Sequence, residues 1–395
     1  MSWRQTAARY GAIVAVLVAL LWMAAALELE GFINRVDPVP LPAISPHARA
    51  LHDTSFVADL HSDSLLFGRN LLERSSLGHV DLPRLQEGGV DLQVFSLPTV
   101  VPFGLNIERN ERPGLDAITI AGLAQLSPTM WLGPMGRSLY RARQLRGYVR
   151  DSDGALMLIE DRADLDQLLA ARAGGAKITG ALLAIEGAHA MEGDPENLRT
   201  LFDAGYRMIG LTHFFDNRYA GSAHGVEKGG LTELGRQTIR DMEQLGVIVD
   251  LAHLAPKAID EVLEIATRPM VVSHTGVRGT CDNRRNLSDE HIRRIAKADG
   301  VIGIGYWDMA VCGRTPADIA GAIAYVVRLV GADHAAFGSD YDGGTTVGFD
   351  TSFLPVLTQA LIDEGLNDTD IRKILGQNVL RLLSKTLPPA GVEAD

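Results

Sequence analysis

Phe56-Val57-Ala58-Asp59-Leu60-His61-Ser62-Asp63 reads as a short apolar strand that ends in a His-x-Asp pair. In an extended chain, residues i and i+2 point to the same side. His61 and Asp63 therefore aim an imidazole and a carboxylate at one point. Those donors suit a divalent ion such as zinc. Taken alone, the pair is equally well explained by a solvated turn. Its weight comes from repetition, because apolar strands ending in donor residues recur downstream at βα spacing.

Working outward from this stretch, the expected strands are 56–61, 90–96, 181–186, 207–212, 246–252, 269–274, 300–306 and 335–340. Most are near-continuous apolar runs, the texture of parallel strands covered on both faces. Segments of helical period separate them. Thr232 opens a helix that Gly246 stops, Ser288 caps Asp289–Ala298, and Asn367 caps a run to Leu383. This alternation predicts an α/β fold, a (β/α)8 TIM barrel spanning 49–387. Residues 103–175 form an outsize helical insertion between the second and third strands. Residues 388–395 read as a flexible tail.

In such a barrel the chemistry gathers at the C-terminal ends of the strands. Read in order, those ends carry His61 and Asp63, then Glu186, His213, His253, His274, and finally Asp340 with Asp342. A lone histidine is more often a hydrogen-bonded structural residue than a ligand. The whole set on one rim is harder to explain by packing, because buried ionisable groups are costly unless paired or metal-bound. The set suits two divalent ions, with the two oxygens of Glu186 bridging them. A water between the ions would lose its proton near neutral pH and become a nucleophile. Asp340 is placed to carry protons. The reaction class this supports is metal-assisted hydrolysis. A purely structural zinc fits less well, since such sites are closed and cysteine-rich and neither Cys281 nor Cys312 falls at a strand end.

Near the N-terminus, Arg4 and Arg9 precede a wholly apolar or small run, 11–27, that Glu28 and Glu30 end. This is the pattern of an export signal, at the short end of what spans a bilayer. Arginines before the run and acids after it place the N-terminus inside. Ala24-Ala25-Ala26 offers a cleavage site. Residues 1–30 are therefore read as a hydrophobic helix serving as a signal-anchor or a cleaved signal peptide, the anchor being preferred. The remainder would lie outside the cytoplasm, on the periplasmic or extracellular side. Pro38, Pro40, Pro42 and Pro46 make 31–48 a stiff Pro-rich linker. A net charge of -12 without a basic block argues against a nucleic-acid partner. The glycines after His213 lack phosphate-loop spacing, which argues against a nucleotide. Two cysteines allow one disulfide in an exported chain, or two buried thiols.

As a set, Asp59-Leu60-His61-Ser62-Asp63, Ile185-Glu186-Gly187-Ala188-His189, Leu211-Thr212-His213, Asp250-Leu251-Ala252-His253, Ser273-His274, Arg284-Arg285-Asn286 and Gly338-Ser339-Asp340-Tyr341-Asp342-Gly343 resemble the membrane (renal) dipeptidases of the amidohydrolase superfamily. The resemblance covers roughly residues 50–385. It implies a metallo-dipeptidase barrel with two zinc ions per chain, working as a homodimer on small dipeptides. His61 and Asp63 would hold one ion, His253 and His274 the other, and Glu186 would bridge them. His213 would face the substrate and polarise the scissile carbonyl. Arg285 would grip the substrate carboxylate, which its planar fork fits. Asp340 would take a proton from the bridging hydroxide and pass it to the leaving amine. Arg284 could exchange roles with Arg285, and Asp342 with Asp340.

The resemblance also places Cys281 and Cys312 where such members carry a disulfide. Mammalian members have a tyrosine just before the second of these cysteines. Here that place reads Asp308-Met309-Ala310-Val311, with Tyr306 earlier, which leaves the details of substrate contact and any β-lactam hydrolysis open. The alternative function on the same residues is an amidohydrolase acting on N-acyl amino acids, lactams or lactones. A tethered binding protein would be marked by a lost donor, and none is lost. His189 and His224 are expected beside the site or in loops. His79 is expected to be structural, and Trp131 and Trp307 to be core.

Overall fold

The computed structural model describes residues 30–112, 114, 116–119 and 133–391. The apolar run 11–27 and Trp131 lie outside them, as does the last half of the expected tail, 392–395. Among the described residues no helix is long and apolar enough to cross a membrane.

Among the described residues, nine strands form one sheet. They are β1 (Ala58–Ser62), β2 (Leu92–Phe95), β3 (Leu156–Leu158), β4 (Thr179–Glu186), β5 (Tyr206–Gly210), β6 (Ile248–Asp250), β7 (Val271–Thr275), β8 (Val301–Ile304) and β9 (Ala335–Phe337). Every pairing between them is parallel. β1 pairs with both β2 and β9, and β2 pairs with β4, so all strands except β3 close into the expected eight-stranded barrel. The insertion is helical as expected, with helices Gly133–Asp151 and Arg162–Ala173. It also carries β3, which no sequence signal indicated. β3 borders the first residues of β4, with Leu156 opposite Thr179, while β5 joins β4 only from Leu183 onward.

Alternation along the strands sets the two faces of the wall. In β1, Ala58 and Leu60 pack outward with Leu165, Leu168, Val379 and Leu383 of the surrounding helices. Asp59 and His61 take the other face. Asp59 is wholly buried and accepts hydrogen bonds from the Ser339 amide (2.8 Å), the Ser339 hydroxyl (2.6 Å) and the Gln93 side chain (3.1 Å). Gly338 permits close approach of the strands here. A Cβ on it would lie 1.9 Å from the Ser273 carbonyl oxygen and 2.9 Å from the Gly303 Cα.

The caps follow the sequence. Thr232 accepts from the Gly235 amide and Gly246 ends Glu233–Leu245 in the left-handed region, at φ 78°. Ser288 caps Asp289–Lys297. The run after Asn367 is less regular than expected: Asp368–Arg372 and Asn378–Thr386 are separated by a π-helical turn, Lys373–Gln377.

The Pro-rich segment is docked against the barrel rather than extended away from it. Val36 bridges Val347, the Asp37 amide donates to the Val347 carbonyl (2.8 Å), and Asp37 pairs with Arg314. Ser45 then caps a helix, Pro46–Asp53. That helix buries His52, whose Nε2 meets the Gly88 carbonyl and whose Nδ1 meets the Thr358 hydroxyl, both at 2.8 Å. Both contacts suit the neutral ring, and burial lowers its pKa below the ordinary value. With a folded pKa depressed below the unfolded one, stability from this group is full above about pH 6.5 and is lost as pH falls. His52→Gln keeps a donor for Gly88 and does not titrate. It is expected to flatten the decline in unfolding free energy between about pH 7 and pH 5. Denaturant titrations at several pH values would check this, and an unchanged slope would remove His52 as the cause.

Candidate metal and catalytic centre

All the barrel strands but β4, which begins earlier at Thr179, are shorter than the apolar runs suggest. β1, β4 and β7 carry His61, Glu186 and His274 directly. His213, His253 and Asp340 instead lie past the ends of β5, β6 and β9, on the loops that leave them. His253 and Asp340 both have left-handed backbones, at φ 63° and 59°. L-residues rarely adopt this conformation, and it costs energy that the surroundings must offset. The turn breaks the ladder and swings each side chain back over the barrel mouth.

The expected donors converge, and all are buried. Glu186 Oε1 lies 2.7 Å from His253 Nε2 and 3.2 Å from His274 Nε2, while Oε2 lies 3.2 Å from His213 Nε2. His253 Nε2 and His274 Nε2 face each other at 3.0 Å. His61 Nε2 is 3.4 Å from Asp63 and 3.9 Å from Asp340. Three groups bring donor atoms within reach of a common ion: His61, Glu186 and His274; Glu186, His213 and His253; His61, Asp63 and Asp340. Glu186 belongs to two of them. His213, assigned to the substrate by resemblance, is as close to Glu186 as His274 is.

This donor set fits divalent cations. His61 Nε2, Asp63 Oδ1 and Glu186 Oε1 are buried without a hydrogen-bond partner. Such atoms are costly unless something of complementary charge meets them. Ser273 Oγ lies 2.9 Å from His274 Nδ1 and 3.2 Å from His61 Nδ1. One hydroxyl thus fixes two rings with their Nε2 atoms inward, the arrangement that orients histidine ligands. Asp250 in turn accepts from the Ser273 amide at 2.9 Å.

The electrostatics agree. Burial holds the imidazoles of His253 and His274 neutral, well below their ordinary pKa. Neutral imidazole is the form with a lone pair to give. Glu186 is held anionic: burial opposes this, and His213, His274 and His61 outweigh it. His61, despite burial, is raised to about 10 by Asp63, Glu186 and Asp340. The acids around it demand positive charge, which a metal ion supplies in place of a ring proton. Asp340 is pushed well above its ordinary value by burial, with Asp63 and Glu186 adding to it against His61 and Arg285.

The structure separates the two exchangeable pairs. Arg285 is buried, donates from Nη2 to the His274 carbonyl (2.8 Å) and lies 3.4 Å from His253 Nε2. Arg284 is turned to the surface and pairs with Glu108. Asp340 faces the donors, whereas Asp342 is turned away into bonds with Ser64, Arg69 and the His79 amide. Cys281 and Cys312 are joined in a disulfide. It fastens the Arg285 loop to helix Asp308–Val311, together with Asn286, whose amide donates to the Cys281 and Ala310 carbonyls.

The histidines set aside by sequence divide. His79 is fully buried and structural. His189 lies 2.9 Å from the Thr99 hydroxyl and against Phe215. His224 stands beside the centre, as expected, its ring 5.2 Å from that of His253. Sequence reasoning missed Asp59, Asp250 and Ser273, which support the donors. The available signal was their spacing, since Asp59 stands two residues before His61 on the same strand face. Trp307 was read as core, yet its ring lies 6.0 Å from His274 and 5.9 Å from the Arg285 guanidinium.

Residues 46–388 match the family model described as membrane dipeptidase, peptidase family M19. The chain is 32% identical over 215 residues to an uncharacterized dipeptidase of Schizosaccharomyces pombe, covering 52% of this chain and 53% of that protein. It is 34% identical over 212 residues to dipeptidase aclJ of Aspergillus oryzae, covering 51% and 50%. The chain thus spans about half the length of these curated relatives. Among solved structures, the fold is similar to that of a metallo peptidase from Rhodobacter sphaeroides liganded with a phosphinate mimic of L-Ala-D-Ala. The TM-score is 0.69 and the identity 24%, over 84% of this chain and 99% of that one. It is also similar to the probable dipeptidase PvdM from Pseudomonas aeruginosa, with a TM-score of 0.71 and 22% identity over 86% and 98%. The match over nearly the whole barrel, on residues that converge at its mouth, makes this chain a member of the membrane dipeptidase family of metallopeptidases.

Proposed function

We propose that the protein is a dipeptidase with two zinc ions bridged by Glu186, one held by His61 and Asp63 and the other by His253 and His274. Divalent ions in such a site polarise a carbonyl and lower the pKa of water. The observation that carries the substrate class is Arg285. It is a buried guanidinium beside the donor cluster; Asp340, Glu186 and Asp250 act on it through space, and among the described residues none of them forms an ion pair with it. A buried cation of that kind is matched by an anion that arrives with the substrate. The free carboxylate of a dipeptide supplies one, and places the preceding peptide bond over the donors. His213 has acceptors near both ring nitrogens, Val100 carbonyl at Nδ1 and Glu186 at Nε2. In the tautomer that carries its proton on Nε2, the ring would donate to the scissile carbonyl oxygen. Asp340, buried beside the donors, takes a proton from the attacking water and passes it to the leaving amine.

In this reading the chain acts as a homodimer on the outer side of the cytoplasmic membrane, held by residues 1–30. The test uses the full-length protein. Metal is counted by elemental analysis while amino-acid release is followed from L-Xaa-L-Xaa and L-Xaa-D-Xaa dipeptides and from tripeptides. About two zinc ions per chain, with dipeptide turnover that a chelator abolishes and zinc restores, is the expected result. Bound metal with turnover only of N-acyl amino acids, lactams or lactones would move the substrate class. Efficient tripeptide cleavage would count against a pocket closed around a dipeptide.

A further inference from the structure

The docked segment after the apolar run reaches the same loop that bears Asp340. Glu30 is 3% exposed and its carboxylate receives Arg69 Nε. Arg69 Nη1 donates to the Val80 carbonyl (2.8 Å) and Nη2 to Asp342 Oδ2 (2.6 Å). One guanidinium is thus fixed edge-on between two carboxylates, a use for which its planar fork is suited. Asp342 also accepts from the Ser64 hydroxyl and the His79 amide, each at 2.6 Å, and its own amide donates to His79 Nδ1 (3.0 Å). Gly78, at φ 70°, leaves room for this crossing. A Cβ there would lie 2.3 Å from Arg69 Nη2 and 2.8 Å from Asp342 Oδ1. Further along, the Gly344 amide donates to Asn34 Oδ1 (2.9 Å) and the Val347 amide to the Arg35 carbonyl (2.9 Å).

Asp340 and Asp342 are both left-handed, at φ 59° and 61°. A loop with two such residues so close keeps its shape only where its surroundings over-determine it. The surroundings here are Ser64, Arg69, His79 and the 30–37 segment. The Asp340 carbonyl accepts from the Thr345 hydroxyl (2.8 Å), and Ser339 before it is held by Asp59. Among the described residues the Asp340 carboxyl has no such anchor, and Asp342 fixes the turn on its far side.

We propose that Glu30 and Arg69 are positioning residues for Asp340, which makes the segment just after the apolar run a working part of the active site. This rests on Asp340 being the proton carrier. The assignment has a practical consequence: a chain trimmed after residue 30 would lose the clamp, while one that begins before it would keep it.

The test compares E30Q, D340N and the double variant in the full-length chain, by kcat and KM on a cleaved dipeptide and by bound metal. E30Q is expected to lower kcat about tenfold, the scale of a small misplacement of a catalytic group. KM and metal content should be unchanged. Added to D340N, E30Q should cost nothing more, because its effect runs through Asp340. Equal loss in both backgrounds, or no loss in the first, would overturn the proposal. D340N with a wild-type kcat would also overturn it, but by removing the role of Asp340 itself. R69K, which keeps the charge and loses the fork, gives the same comparison if E30Q does not fold.

Discussion

Asp340→Asn is expected to lower kcat for dipeptide hydrolysis about 10³-fold, within the range that general acid–base groups contribute, while bound metal stays at the wild-type count. Asparagine keeps the shape of the side chain and cannot deliver a proton. The carboxyl is buried among Asp63, Glu186, His61 and Arg285, and burial, with the two acids, raises its pKa well above the ordinary carboxylate value. A carboxyl whose pKa is raised binds a proton more readily and is matched to passing it to an amine as it leaves. The loss should therefore shrink on a substrate whose leaving amine is weakly basic, such as an amino-acid anilide with a carboxylate for Arg285. Kinetics on both substrates, with elemental analysis of each protein, would check this. Asp340 also stands in one of the donor groups, with His61 and Asp63. Loss of one ion in Asp340→Asn would therefore recast it as a ligand, and an equal loss on both substrates would remove its role as acid.

Much of the barrel and its rim was legible because two periodicities coincide. Strands covered on both faces are apolar throughout, and the donors end those runs, so a reader of the sequence meets each strand and its ligand together. The same texture misplaced the boundaries. Leu211-Thr212 and Leu251-Ala252 are as apolar as the strands before them, yet they are already loop, because His213 and His253 must turn inward over the mouth. The left-handed turns at His253 and Asp340 leave no mark in composition: neither is glycine, and tertiary contacts hold them. β3 escaped for a related reason, being a short strand at the edge of a long helical insertion with no donor at its end.

The segment 31–48 shows the limit most clearly. Its prolines describe a stiff extended chain, and 37–45 carry no regular secondary structure. Proline spacing says nothing of what that chain lies against. Glu30 looked like the polar end of an apolar run, whereas its partner, Arg69, is 39 residues away. Contacts of that kind are set by topology. The exchange between Arg284 and Arg285 is likewise undecidable by type; only the fold buries one at the donors and exposes the other against Glu108.

Glu186→Gln is expected to lower kcat/KM about 10³-fold or more, since it removes several kcal/mol of metal-dependent stabilisation. Unlike Asp340→Asn, it should do so by losing metal. Both oxygens of Glu186 are committed, Oε1 toward His253 and His274 and Oε2 toward His213. The amide keeps the volume of the carboxylate while replacing one oxygen and cancelling the charge between two donor groups. The same reasoning fixes a second observable. Ions bound to the folded chain raise its stability by mass action, so the wild type should gain thermal stability on adding zinc to the chelated protein. Glu186→Gln should melt close to the chelated wild type, because a neutral amide is cheaper to bury than an anion, and should gain much less from zinc. A variant that binds the wild-type amount of metal and gains as much from it, yet is inactive, would show that Glu186 acts on the substrate and not as the bridge. A variant that melts far below the chelated wild type would show that its carboxylate supports the fold itself.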